Sequence, residues 1–170
     1  MSKRWRVYCT EPGHEGWRYV WTNTAPTECP GDPGYSINVD SIKQDMKEVP
    51  LYKIRPHTRK SRSKNLEEIA VSHFDPSGQH GDFRRVKFLG HLDEGATSYN
   101  FEVYDRTNEV SLSLTSFNNT GKESQEMTTD VISSVPTSET ILQFNVERVG
   151  GNNKKYIWVE EISLIFGVPI

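Results

Sequence analysis

The sequence predicts an all-β protein, an antiparallel β-sandwich of jelly-roll-like type preceded by a small N-terminal β-hairpin module. Three observations carry that expectation. The apolar residues lean β-branched and aromatic, with 4 Trp, 7 Tyr and 7 Phe among 170 residues, which is the composition of strands. They stand in short runs cut by Gly, Pro, Asn and Asp, and no long 3.6-residue pattern competes with them. Turn signals such as DPSGQHGD, LDEGATS, DRTNE, NNTGKE and VGGNNKK recur at about the 8–12-residue spacing of sandwiches and barrels.

Residues 1–36 read as a hairpin module. Two aromatic strands, Trp5 to Cys9 and Trp17 to Trp21, flank the turn EPGHEG, and alternation sets Trp5, Val7 and Cys9 on one face of the first and Trp17, Tyr19 and Trp21 on one face of the second. The loop that follows holds Pro26, Pro30 and Pro33, which bar a central strand. Residues 37–66 read as a linker with a basic loop. Within it, Val39 to Lys47 predicts a short helical turn, capped by Asp40 or Ser41, with Ile42 and Met46 spaced i, i+4.

Residues 67–170 read as the sandwich domain. Strands are expected near Glu67 to Phe74, Phe83 to Leu92, Thr97 to Tyr104, Val110 to Phe117, Glu123 to Thr129, Thr140 to Val149 and Tyr156 to Phe166. Alternation is clearest where Ile141, Gln143, Asn145 and Glu147 interleave with Leu142, Phe144, Val146 and Arg148. The apolar tail IFGVPI, with Val168 and Ile170, either closes the core or inserts into a partner.

Length suits one ordinary domain with a small appendage. The residues AVILMFWYC make up 34% of the chain, below the ~45–50% of typical domains, so the core is thin and the outer faces are wet. Net charge is −3 with pI near 6.0, so no global positive field favours nucleic acid or an anionic membrane. No run approaches the ~18 apolar residues of a span, and the charged start has no apolar segment behind it. A soluble chain without a membrane span is expected.

The five histidines, His14, His57, His73, His80 and His91, are scattered, and no nucleophile-elbow, zincin or paired-cysteine motif is present. No enzyme activity, cofactor or metal is expected. Cys9 and Cys29 admit three readings: a disulfide contributing about 3 kcal/mol, two ligands of a zinc site completed elsewhere, or two buried thiols. The stretch from Arg55 to Lys64 concentrates Arg55, Arg59, Lys60, Arg62 and Lys64 without an acidic residue. It is either a solvated surface segment or a docking arm whose Arg forks pair with the carboxylates of an acidic neighbouring subunit or, as the lesser alternative, with the phosphates of nucleic acid. Trp5, Trp17 and Trp21, with Tyr19, are candidate contact residues, read first as cross-strand packing and second as a sugar-stacking platform. Asn118-Asn119-Thr120 fits a glycosylation acceptor and is read as a turn.

The segment VYCTEPGHEGWRYVWTNTAPTECPGDPGYSI resembles a short module of structural proteins of large icosahedral DNA viruses and of some phage tail or fibre proteins. The matching positions are Tyr8, Cys9, Trp17, Tyr19, Trp21, Pro26, Thr27, Cys29 and Pro30; Tyr35 stands where that pattern often has His, which counts against a metal ligand there. The stretches ATSYNFEVYDRTN, SLTSFNNTGKE and SVPTSETILQFNVERVGGNNKKYIWVEEISLIFG are similar to C-terminal β-sandwich domains of those proteins. The resemblance implies a minor capsid, cementing or fibre-associated virion protein. Its partners would be other capsid subunits, a second copy of itself or a glycan receptor.

Overall fold

The computed structural model describes residues 2–57, 60–77, 81–93, 98–118, 122–149 and 156–170. It is all-β, and its strands are β1 (Lys3–Cys9), β2 (Gly16–Thr22), β3 (Ile37–Ile54), β4 (Lys60–Ser61), β5 (Glu67–Phe74), β6 (Asp82–Leu92), β7 (Ser98–Asp105), β8 (Val110–Asn118), β9 (Gln125–Thr128), β10 (Thr140–Val149) and β11 (Ile157–Pro169). Two compact units form: Met1–Val49 with His80–Asp82 and Phe166–Ile170, and Pro50–Gln79 with Phe83–Ile165.

In the first unit β1 lies between β2 and β3, antiparallel to both. The expected helical turn at Val39 to Lys47 is instead part of β3. A spacing of four, as between Ile42 and Met46, satisfies period two as well as period 3.6, and pairing with β1 decides between them. The cap-like residues have another use. Opposite Val7 the register slips, Arg6 facing Lys43 and Tyr8 facing Asn38, so that residues 39–42 form a bulge. There Ser41 Oγ accepts from Tyr8 N–H (2.8 Å) and donates to Asn38 O (2.6 Å), and Asp40 N–H donates to Asn38 Oδ1 (3.0 Å).

The tail belongs to this unit. Phe166 is buried while Ile170 is exposed, and Ile170 N–H donates to Asp45 O at 3.2 Å. Gly81 adopts φ +85°, and a Cβ there would stand 2.0 Å from Gly167 O, so a side chain is barred by both conformation and space.

The second unit is a sandwich of antiparallel strands. One sheet runs β5-β10-β7-β8; in the other, β6 stands between β11 and β9, and β4 pairs with β11. Phe88 of β6 locks them together. Its ring stacks on Phe101 of β7 (4.3 Å) and meets Phe117 of β8 edge-on (5.1 Å), and Phe101 in turn stacks on Phe144 of β10 (6.3 Å). Phe88, Phe101 and Phe144 are fully buried, each adding roughly 0.5–1.5 kcal/mol of ring geometry to its burial. Tyr99 OH contacts Met127 Sδ at 2.7 Å, and burial pushes its phenol well above the ordinary range.

Leu142, Phe144, Val146 and Arg148 of β10 point inward and are buried, as the alternation predicts. Asn145, on the other side, is buried too. Its amide is satisfied, donating to Glu102 Oε2 (2.7 Å) and accepting from Gln143 (2.9 Å).

The turn after β7 is held by Asp105, which is buried. Its carboxylate accepts from Thr107 N–H (3.0 Å), Asn108 N–H (3.0 Å), Asn108 Nδ2 (2.8 Å) and the Thr140 hydroxyl. Burial pushes the carboxyl up, and the donors from Asn108, Thr140 and Thr107 together outweigh it, leaving Asp105 below the ordinary aspartate range. A depressed folded pKa contributes stability that is present at neutral pH and lost as pH falls through it. Asp105→Asn is therefore expected to lower stability at pH 7 by about 1–3 kcal/mol, and to flatten the acid limb below about pH 4 when urea midpoints are compared across pH.

Candidate functional site: a cation-aromatic face on a stapled hairpin

The β1–β2 hairpin turns through Glu11 to Gly16. His14 N–H donates to Glu11 O (2.9 Å) and Gly13, at φ +83°, donates to Glu15 Oε2 (3.0 Å). The register then sets Tyr8 opposite Trp17, Arg6 opposite Tyr19 and Arg4 opposite Trp21. Because side chains alternate, these six share one face, where directly opposed and diagonal neighbours touch.

They interlock along two diagonals and, at Tyr8 and Trp17, directly across. The Arg6 guanidinium lies 4.5 Å from the Trp17 ring centre, the Arg4 guanidinium 5.2 Å from that of Tyr19, and Tyr8 packs edge-on against Trp17 at 5.5 Å. Asp45, the extra residue where Arg4 faces Met46 and Trp5 faces Gln44, grips Arg4 with two bonds, 3.0 Å to Nε and 3.1 Å to Nη2. Asp45 raises the Arg4 pKa, so this cation holds its charge at all working pH. Trp17 is 46% and Tyr19 54% exposed, so the face is ordered yet open.

Trp5 is not on it. It pairs with Val20 and so occupies the reverse face with Val7 and Cys9, where Lys3 Nζ stands 6.0 Å over its ring. The rings on the outer face are therefore Tyr8, Trp17, Tyr19 and Trp21, interleaved with Arg4 and Arg6 as cross-strand packing, and a sugar platform would lack Trp5. On the reverse side Val7, Cys9 and Cys29 are buried, and Cys9 is disulfide-bonded to Cys29 across a separation of 20 residues. Of the three readings of the pair, the structure takes the disulfide, so the zinc and free-thiol readings fall. Among the described residues no group of three or more His, Cys, Asp or Glu is placed to hold a metal. The loop carrying Cys29 closes through Cys29 N–H to Tyr35 O (3.1 Å) and Thr10 N–H to Ser36 O (3.0 Å); Tyr35 packs against His14 at 4.9 Å.

The second unit holds a smaller arrangement of the same chemistry. In the basic stretch, β4 pairs with β11, Lys60 opposite Trp158 and Ser61 opposite Ile157. Lys60 Nζ lies 4.8 Å from the Tyr156 ring and 5.1 Å from the Trp158 ring, and Arg62 lies 5.7 Å from Tyr156. Trp158 also stacks on His91 (5.7 Å) and donates Nε1–H to Asp93 (2.9 Å). Arg55 and Lys64 are exposed; Arg59 lies outside the described residues, as do Asn119 and Thr120 of the acceptor pattern. The pairing of Lys60 and Arg62 with Tyr156 and Trp158 had no local signal, since nearly a hundred residues separate the partners.

If the bond and the ring contacts hold the hairpin as described, replacing both Cys9 and Cys29 by Ser should lower stability by about 3 kcal/mol. Arg6→Ala should cost no more than about 1 kcal/mol. Thermal unfolding followed by tryptophan fluorescence separates the two magnitudes.

No family model matches the chain, and no curated protein matches it. Among solved structures it is similar to a chain of the "Structure of infectious bursal disease virus Gx strain", at 8% identity and a TM-score of 0.44, over 92% of this chain and 40% of that one. This chain spans less than half of that neighbour's length.

Proposed function

We propose that the chain is a non-enzymatic structural subunit of a virus particle, of minor-capsid, cementing or fibre-associated kind, which acts in the virion through contacts with other subunits. The observation that carries this reading is the hairpin face. Trp17, Tyr19 and Trp21 stand in register with Arg4 and Arg6, Trp17 and Tyr19 half exposed and already ordered. Arg, Trp and Tyr are the residues that supply most binding energy at protein interfaces. Rings and guanidinium groups held before contact lose little freedom on binding. The cations favour an acidic patch on the neighbour, and the order of aromatic hairpin followed by sandwich resembles that of viral structural proteins.

A second reading, a glycan-binding or receptor-attachment module, draws on the exposure of Trp17 and Tyr19. A sugar would stack on the ring faces left open by the guanidinium groups. Loss of glycan-array binding in Trp17→Ala and Trp21→Ala chains would favour it.

The test of the leading reading is the composition of purified particles. Mass spectrometry should find the chain in them, and Arg6→Glu should cut its incorporation about tenfold, a change of about 1.4 kcal/mol, while the chain's melting temperature stays within about 3 °C. Particles that lack the chain, or that take up Arg6→Glu as well as the natural chain, would overturn it.

A further inference from the structure

We infer that β2 is a self-pairing edge, through which two copies of this chain associate about a two-fold axis passing by Tyr19. Among the described residues the sheet order ends at β2, which pairs there with β1. Strand edges left open are templates for another strand, and proteins ordinarily blunt them with proline, lysine or shortness. β2 has seven residues, GWRYVWT, with neither proline nor lysine.

Its sequence is also symmetric in the manner an isologous contact requires. Antiparallel pairing centred on Tyr19 sets Trp17 opposite Trp21 of the second copy, Trp21 opposite its Trp17, and Tyr19 opposite Tyr19. The full strand Gly16–Thr22 is used, Gly16 facing Thr22. Six rings then line one face as directly opposed aromatic pairs, a favourable class of cross-strand neighbour. Arg18, the only charged residue of the strand, falls opposite Val20, so no like charges stand directly across from each other.

A one-residue slip would keep a two-fold axis but set Trp17 opposite Val20 or Thr22 and Trp21 opposite Gly16 or Arg18, losing every aromatic pair, so the ring pairing favours the register centred on Tyr19. Trp17 and Tyr19 are about half exposed and Trp21 partly exposed in the single chain, and the six rings of the pair offer about 600 Å² for burial. That lies below the ~1,000 Å² that a stable specific interface clears. The association is therefore weak in dilute solution and grows where copies are held at high local concentration. It stands apart from the particle reading above, since it concerns the isolated chain.

Sedimentation equilibrium of the full chain from about 1 µM to about 1 mM tests it. The natural chain should pass from monomer to dimer across that range. Tyr19→Lys, at an exposed position, should remain monomeric because two ammonium groups then meet at the axis, and so should Tyr19→Glu. An equimolar mixture of the two should recover the dimer, with Lys opposite Glu. A natural chain that stays monomeric at the upper limit, a Tyr19→Lys chain that still dimerises, or a mixture that fails to recover would each overturn the inference.

Discussion

The register of β1 against β2 is the constraint on which the first unit depends. With Arg6 opposite Tyr19, Val7 and Cys9 face the interior, Cys9 meets Cys29, and the arginines and aromatics face out together. A slip of one residue would exchange the two faces, exposing Val7 and burying guanidinium groups without partners, at a cost of several kcal/mol each. The disulfide and the cation-aromatic diagonals oppose that slip from opposite sides of the sheet. The same feature that keeps the hairpin in order thus creates its open contact face.

In the second unit the corresponding constraint is Phe88. A chain with only 34% apolar residues concentrates its burial, and a single ring reaching from β6 to the rings of β7 and β8 does so. Gly90, two residues on, lets β11 approach closely; a Cβ there would stand 2.2 Å from Trp158 O. Buried polar groups are satisfied within the fold, as in Glu102 with Asn145 and Asp105 with its four donors, which suits a stiff scaffold.

Much of this was legible in the residues. The strands Glu67–Phe74 and Thr140–Val149 were readable to their ends, although a bulge interrupts their pairing beside Asn145. The stretch from Val39 to Lys47 was misread because bulges break the period and because Asp40 and Ser41, residues that ordinarily cap helices, serve the bulge with Asn38 instead. For the site, alternation gave Trp17, Tyr19 and Trp21 one side, but the partners Arg4, Arg6 and Tyr8 needed the register. Trp5 was grouped with the wrong face because strand parity says nothing about which side a neighbouring strand turns toward it. The contacts of Lys60 with Tyr156 and Trp158 depend on long-range pairing that no local pattern encodes.

The most direct measurement of the central claim is the proton chemical shifts of the Arg4 and Arg6 side chains by NMR. Guanidinium groups stacked over Tyr19 and Trp17 place their δ-methylene protons in the ring currents, so these should be shifted upfield, and the Arg6 shift should vanish in Trp17→Leu. Unperturbed Arg6 δ-protons in the natural chain, together with solvent-exposed Val7 methyls, would contradict the register and the contact face built on it.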